Sequence, residues 1–439
     1  MDATRALPAP AAVSQWWLLL AVGALGLGAL AALALAGART PGLSTLVAVD
    51  AFPRALVVHV NLATLVWYLA MACALWTERL PAQRRLAATL AFGLALAGAV
   101  GVVMAGVTAA GAPVLANYVP YLDHPLFLAA LGCFAAGGLA TALLSLRRPR
   151  DAAEWGFAIA RWPFLMAALY LLLRLGGGAS LVEALWGAGH ILQFGHVTLL
   201  MALWLRLVER AGGPPLATRP AIVLFALAAL PATAAPLLHL SGLSEDALHH
   251  VQTELMRWAN WPAPLLFGLF LLLRAAGAAR RSDGFPASLG LFVAGCLAGL
   301  AIDSQTTMIP AHYHGTIGAF TLALMAAALA RLSPQVPAAA RPTRLPLALY
   351  SAGILALIAG LAWSGALGAP RKSPFSGEGA DLGATLAASL TGLGGAITVA
   401  GVFLFVIVAV PRIVQLCLHR PSPAPTPGRD AAPTFAAAR

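Results

Sequence analysis

Twelve apolar runs, each close to the length a helix needs to cross a bilayer, constrain this chain more than any other feature. A spanning helix takes roughly 20 predominantly apolar residues. Runs of this kind occupy 15–37, 55–77, 86–109, 124–146, 156–174, 179–206, 219–240, 259–276, 286–303, 308–331, 345–367 and 387–411. Backbone groups cannot be left bare in lipid, and runs this long satisfy theirs as helices, not as barrel strands. The first run exceeds the ~7–15 residue core of a secretory signal, so it counts as a spanning helix. The expected fold is an all-α integral membrane protein with twelve transmembrane helices over residues 15–416. A cytoplasmic segment, 1–14, precedes them, and a Pro/Ala-rich tail, 417–439, is expected to be disordered.

Composition narrows the function. The chain is 60% hydrophobic and 10% charged, against about 25% charged for a soluble protein. That excludes an ordinary cytosolic enzyme and a DNA-binding module. The net charge of +11 does not indicate a nucleic-acid partner, because the basic residues are scattered between apolar runs. Cys73, Cys133, Cys296 and Cys417 lie in or beside apolar runs without CxxC spacing. They read as small buried hydrophobes. Trp16, Trp17 and Trp76 read as interface aromatics.

Lysine and arginine set the orientation. With both termini cytoplasmic, 21 of the 27 basic residues fall on the cytoplasmic side. The outer six are Arg39, Arg54, Arg174, Arg257, Arg371 and Lys372. A multi-pass protein of a bacterial-type inner membrane follows.

The ten histidines carry the chemistry. An ionisable group inside a membrane is costly and marks a functional candidate, although a lone histidine is as well explained by a hydrogen bond within the bundle. Their depths are not random. His59 lies about one turn into the second run, and His312 and His314 lie in the first two turns of the tenth. His249 and His250 lie outside, just before the eighth. His190 is about 16 Å down the sixth, at about 1.5 Å per residue. Six histidines thus gather toward the outer side, while His419 lies at the cytoplasmic face. His312 and His314 point about 200° apart on a helix, so they cannot share one metal but can serve two centres. His249 and His250, about 100° apart, could converge on one ion where a helix frays or ends. Imidazole in apolar surroundings suits copper, iron or zinc.

On these motifs the chain resembles subunit I of the haem-copper oxidase superfamily, which includes oxygen reductases and nitric oxide reductases. The matching segments are RALVVHVNLATLVWY, LWGAGHILQF, ALHHVQTELMRW, IPAHYHGTIGAF and GALGAPRKS. The resemblance covers nearly the whole chain and implies a bundle of that type with two haems, expected to be b-type, and one non-haem metal, copper or iron. It implies that His59 and His314 are axial ligands of a low-spin haem and His312 the proximal ligand of a high-spin haem. His190, His249 and His250 would hold the non-haem metal. Arg371 and Lys372 would sit over haem propionates. Gly187, Gly189 and Gly195 would give a macrocycle close backbone approach, or simply pack helices. Glu183 and Glu254 could donate protons or contact the second metal, or be solvated carboxylates. Gln193 could reach the distal cavity. The loop NYVPYLDHP, with Tyr118, Tyr121, Asp123 and His124, could cap a haem edge, dock a donor or serve only the structure. His196 is left as a bundle histidine, and His239 could support a neighbouring ligand.

The implied activity is that of a membrane-bound terminal respiratory reductase. Oxygen reductases of the family use a tyrosine joined to a metal-binding histidine, most often four residues after the histidine of the sixth helix. That position is Phe194, and none of the six tyrosines lies on the seventh or eighth run. No acidic residue stands in the inner half of a run. Together these absences favour nitric oxide reduction to nitrous oxide without proton pumping. Phe194 also stands where nitric oxide reductases of the family carry a glutamate, so the chain departs from both patterns. A divergent oxygen reductase, and a haem protein that binds a gas or hands on haem or copper, remain alternatives. Without a CxxCH motif the chain cannot attach c-type haem. Electrons are expected from a cytochrome c or cupredoxin-type partner on the outer side.

Overall fold

The structure, a computed structural model, describes residues 12–48, 51–108, 111–332, 344–377 and 379–418. Most of the expected cytoplasmic segment, the tail from residue 419 and with it His419 lie outside the described residues. The first run folds as α1 (Ala12–Ala38). The second is one continuous span made of α2 (Ala51–Val60), a π-helical turn at Asn61–Val66, and α3 (Trp67–Trp76). The π turn begins two residues after His59, and such turns are often found at functional sites. Next come α4 (Arg85–Val107) and α5 (Pro125–Leu144).

Between α4 and α5 one short hairpin interrupts an otherwise helical chain. Strands β1 (Ala112–Val114) and β2 (Tyr121–Asp123) pair antiparallel, with Pro113 opposite Leu122. Pro113 and Pro120 cannot supply helical N–H bonds, so this segment satisfies part of its backbone across the hairpin.

The fifth run divides into α6 (Ala152–Ile159) and α7 (Arg161–Gly176). Pro163 offers no N–H to the Ile159 carbonyl four residues earlier, which accounts for the break. The sixth run is α8 (Leu181–Arg210). The seventh is α9 (Thr218–Ala229) and α10 (Ala234–Leu240), separated by a 3-10 turn containing Pro231. A polar amphipathic helix, α11 (Glu245–Ala259), carries His249 and His250. Then follow α12 (Pro262–Arg274), α13 (Ala276–Arg281) and α14 (Phe285–Leu300). The last three are α15 (Met308–Leu332), α16 (Arg344–Ala366) and α17 (Leu382–Leu418).

Among the described residues, ten helical spans are long and apolar enough to cross a membrane, so the expectation of twelve is met in part. The eighth and ninth runs fold as α12, of 13 residues, and α14, of 16. At about 1.5 Å per residue each falls short of a core about 30 Å thick. Arg274 ends the first, where Ala275 leaves helical geometry at φ −131°. The segment after Leu300 turns irregular around Asp303.

Small residues let the antiparallel helices approach closely. A Cβ on Gly353 or Gly360 would stand 2.6 Å from the hydroxyl of Thr398 or Thr391 across the α16–α17 seam. The core is not only aliphatic. Trp17 and Trp76, expected at the membrane interface, are fully buried inside the bundle. Trp17 packs edge-on against Phe92, and the Trp76 indole donates to the Phe157 carbonyl at 2.8 Å with Arg161 over its ring. A buried indole N–H needs such a partner, and α6 provides it. The four cysteines are free thiols.

Candidate functional site

Four histidines share one hydrogen-bonding arrangement. Nδ1 lies 2.9 Å from the Gly28 carbonyl in His59, 2.9 Å from Trp186 in His190, 2.8 Å from Gly295 in His312 and 2.7 Å from Pro310 in His314. A carbonyl oxygen only accepts, so in each ring Nδ1 carries the proton. Nε2 therefore keeps its lone pair. This is the tautomer of a metal-ligating imidazole whose other nitrogen is held by a carbonyl.

The two histidines of α15 face different neighbours. His312 is held by α14, and a Cβ on Gly299 would stand 2.6 Å from its Nδ1. His314 lies on the side of α15 near His59 and Arg39. The spacing of two residues thus directs one imidazole toward α14 and the other toward α1 and α2. Gly299 leaves room for the first ring, and the Gly28 carbonyl of α1 orients His59.

His190 has a different surround. The Tyr118 hydroxyl stands 3.3 Å from its Nε2 and, facing a lone pair, is the donor. The Trp186 ring is 3.8 Å from the imidazole, and His249 stacks on the same indole at 3.9 Å and 9°. His250 is exposed. Among the described residues no group of three His, Cys, Asp or Glu side chains is placed to hold a metal ion. The trio His190, His249 and His250 is therefore not assembled. The helix α11 runs unbroken through the pair, so neighbouring imidazoles diverge by about 100°, and the Trp186 indole lies against the other two.

The remaining candidates have structural partners. Glu183 forms a capping box with Ser180 at the start of α8, its carboxylate 3.0 Å from the Ser180 hydroxyl. Glu254 pairs with Arg257 at 3.0 Å and accepts from the Trp258 indole at 2.8 Å. Gln193 is half-buried on α8. Gly187, Gly189 and Gly195 seat aromatic rings instead of a helix backbone: a Cβ there would meet Tyr170, Tyr118 and Phe164 respectively. His196 is boxed by the rings of Tyr68, Phe164 and Phe320. His239 lies 6.1 Å from the Tyr170 ring, and His124 caps α5 by accepting from the Leu126 N–H.

The loop between β1 and β2 reaches over this end of the bundle. Lys372 donates to the Leu115 carbonyl at 2.5 Å and to Asn117 Oδ1 at 3.0 Å, while Arg371 reaches the same Oδ1 at 3.3 Å. The Asn61 amide of the π turn donates to the Pro120 carbonyl at 2.6 Å. Burial first, and then neighbouring Arg371, push the Lys372 ammonium down to about 8. Burial raises the Tyr118 phenol, which is thus held protonated. Tyr118 adopts φ +67°, uncommon for a residue with a side chain. Trp186 was legible in principle, one turn before His190. Asn117 and the Tyr118 contact were not, because a loop carries them across the fold.

No family model matches the chain. An uncharacterized protein of Aquifex aeolicus (strain VF5) is 28% identical over 324 residues, covering 71% of this chain and 82% of that protein. Uncharacterized protein RP382 of Rickettsia prowazekii (strain Madrid E) is 24% identical, covering 89% of this chain and 94% of its own length. Among solved structures, a heme-copper terminal oxidase matches with a TM-score of 0.65 over 93% of this chain and 85% of that one, at 15% identity. The chain has the fold of a heme-copper terminal oxidase.

Proposed function

We propose that the protein is the catalytic subunit of a membrane-bound terminal reductase that binds two haems and reduces nitric oxide to nitrous oxide. The observation that carries this reading is the shared state of His59, His312 and His314, each with Nδ1 held by a backbone carbonyl and Nε2 available. These side chains fit axial haem ligation: His59 and His314 for a low-spin haem, His312 for a high-spin one. When bound, the haems supply electron transfer and gas binding. Lys372 and Arg371 carry the positive charge to hold propionates, with Asn117 keeping both in place. The trio expected to hold a non-haem copper or iron is not assembled, so no step is assigned to that metal. His190 and His249 remain its candidate ligands, and Glu183, Glu254 and Gln193 its candidate neighbours and proton donors.

Nitric oxide is favoured because its reduction breaks no O–O bond and requires no tyrosine at position 194. Two molecules of nitric oxide, two electrons and two protons give nitrous oxide and water. A second reading, oxygen reduction, has one specific support: Tyr118 brings a phenol to His190 from a loop. Turnover of the purified complex with each gas separates the two. Consumption of nitric oxide well above that of oxygen is expected, with Tyr118→Phe retaining it. Faster oxygen consumption, abolished by Tyr118→Phe, would transfer the assignment to the oxygen reductase. Two haems per chain are expected on pigment analysis.

A further inference from the structure

The histidine helix α11 has little apolar grip on the bundle. Only Leu248 and Gln252 are buried among its 15 residues, and a helix of that length is marginal on its own. Leu255 and Ala259 pack at its far end against a small apolar cluster and His249 stacks on Trp186, while its polar attachments come from α7. Arg174, buried at the end of α7, forms a two-pronged pair with Glu245, Nη1 to Oε1 at 2.6 Å and Nη2 to Oε2 at 2.5 Å. One turn earlier on α7, the Tyr170 hydroxyl accepts from the Gln252 amide at 2.8 Å.

The spacing is informative. Glu245, His249 and Gln252 follow an i, i+4, i+7 pattern and therefore share one face. His249 stands between the two attachment points. His250, about 100° away, does not. Tyr170 has a second contact: its ring fills the place a Cβ on Gly187 would take. Gly187 precedes His190 by three residues on α8. One side chain thus touches both the helix bearing His190 and the helix bearing His249. The charge pair fixes the near end of α11, and its bidentate geometry also restricts rotation.

We infer that Arg174 and Tyr170 are positioning residues: they form a two-point polar latch on α7 that docks α11 and sets His249 against Trp186, at a fixed distance from His190. The inference rests on the proposed function for its consequence, but not for its geometry. The test uses the full-length purified protein. Glu245→Gln keeps the side-chain shape at an exposed position, and Tyr170→Phe keeps the ring over Gly187. In the double variant, amide exchange across 245–259 should quicken about tenfold or more, with exchange across α15 and total haem unchanged. The infrared stretch of carbon monoxide bound at the high-spin haem should shift or broaden, because it senses what faces the haem. Arg174→Lys keeps the charge but not the fork, and should fall between the double variant and wild type in both readouts. Exchange across α11 at the wild-type rate in the double variant would overturn the latch. An exchange change without a change in the carbon monoxide band would overturn the positioning role. Absence of haem from wild type would overturn the functional reading, while the exchange measurement would still decide the latch.

Discussion

A histidine whose Nδ1 is held by a carbonyl has one nitrogen left to give, and at His314 that nitrogen has no evident substitute. His314→Ala should remove the low-spin haem spectrum and leave the high-spin one, as His59→Ala should from the opposite side. Both spectra surviving in either variant would refute the ligand assignment. These histidines were legible in the sequence because helical spacing and depth are periodic properties. The tie between Lys372 and Asn117, 255 positions apart, was not, because no periodicity spans a loop-to-loop contact. Lys372 also yields a pH dependence. Its pKa in the protein is about 8, and a propionate beside it would raise that value. Haem retention should therefore be constant below about pH 8 and weaken as pH rises through it, by up to about tenfold per unit. Lys372→Arg should flatten the curve, since guanidinium stays charged. Haem release followed by absorbance between pH 7 and 10 measures it.

At the scale of elements, the long spans were readable because twenty apolar residues leave few alternatives in lipid. The local departures lie where polar and special residues interrupt that rule. Prolines break the fifth and seventh runs, the hairpin forms between Pro113 and Pro120, and α11 follows charge and amphipathicity instead of bulk hydropathy. The eighth and ninth runs fold as the shorter helices α12 and α14, which run between the histidine end and the arginine-rich end around Asp283. The crossing of α14 and α15 depends on small residues: Gly295 and Gly315 meet backbone to backbone, and Gly299 makes room for His312. Gly299→Val should cost about 1–3 kcal/mol through overpacking and tilt the His312 ring. The expected result is loss of the high-spin haem with the low-spin haem retained, read from reduced spectra. Equal loss of both would assign the glycine to general stability only.

Across the whole molecule, charge is distributed by end. Arg79 and Arg147 share Glu154, Arg206 pairs with Asp151, Arg331 with Glu78 and Arg344 with Asp283. All of these pairs lie at the end that the excess of basic residues assigns to the cytoplasm. The opposite end carries the loop over His190, the Lys372 clamp and the α11 latch. If the arginine-rich end is cytoplasmic, both termini are inside, and the histidine site lies toward the outer surface. Electrons from an outer cytochrome c or cupredoxin-type donor then have a short route, and so do protons. Glu78, Asp151 and Glu154 sit in ion pairs at the arginine-rich end, while Glu183 caps α8 at the other end. Turnover should consequently take its protons from outside and eject none. The measurement is made on the complex reconstituted in vesicles, with its donor supplied externally. Addition of nitric oxide should make the external medium alkaline in step with consumption, at one proton for each nitric oxide reduced. A C-terminal reporter should be protected inside cells. Acidification of the medium during turnover would require an inward path and a pump, and would overturn this account of how the molecule lies and works in its membrane.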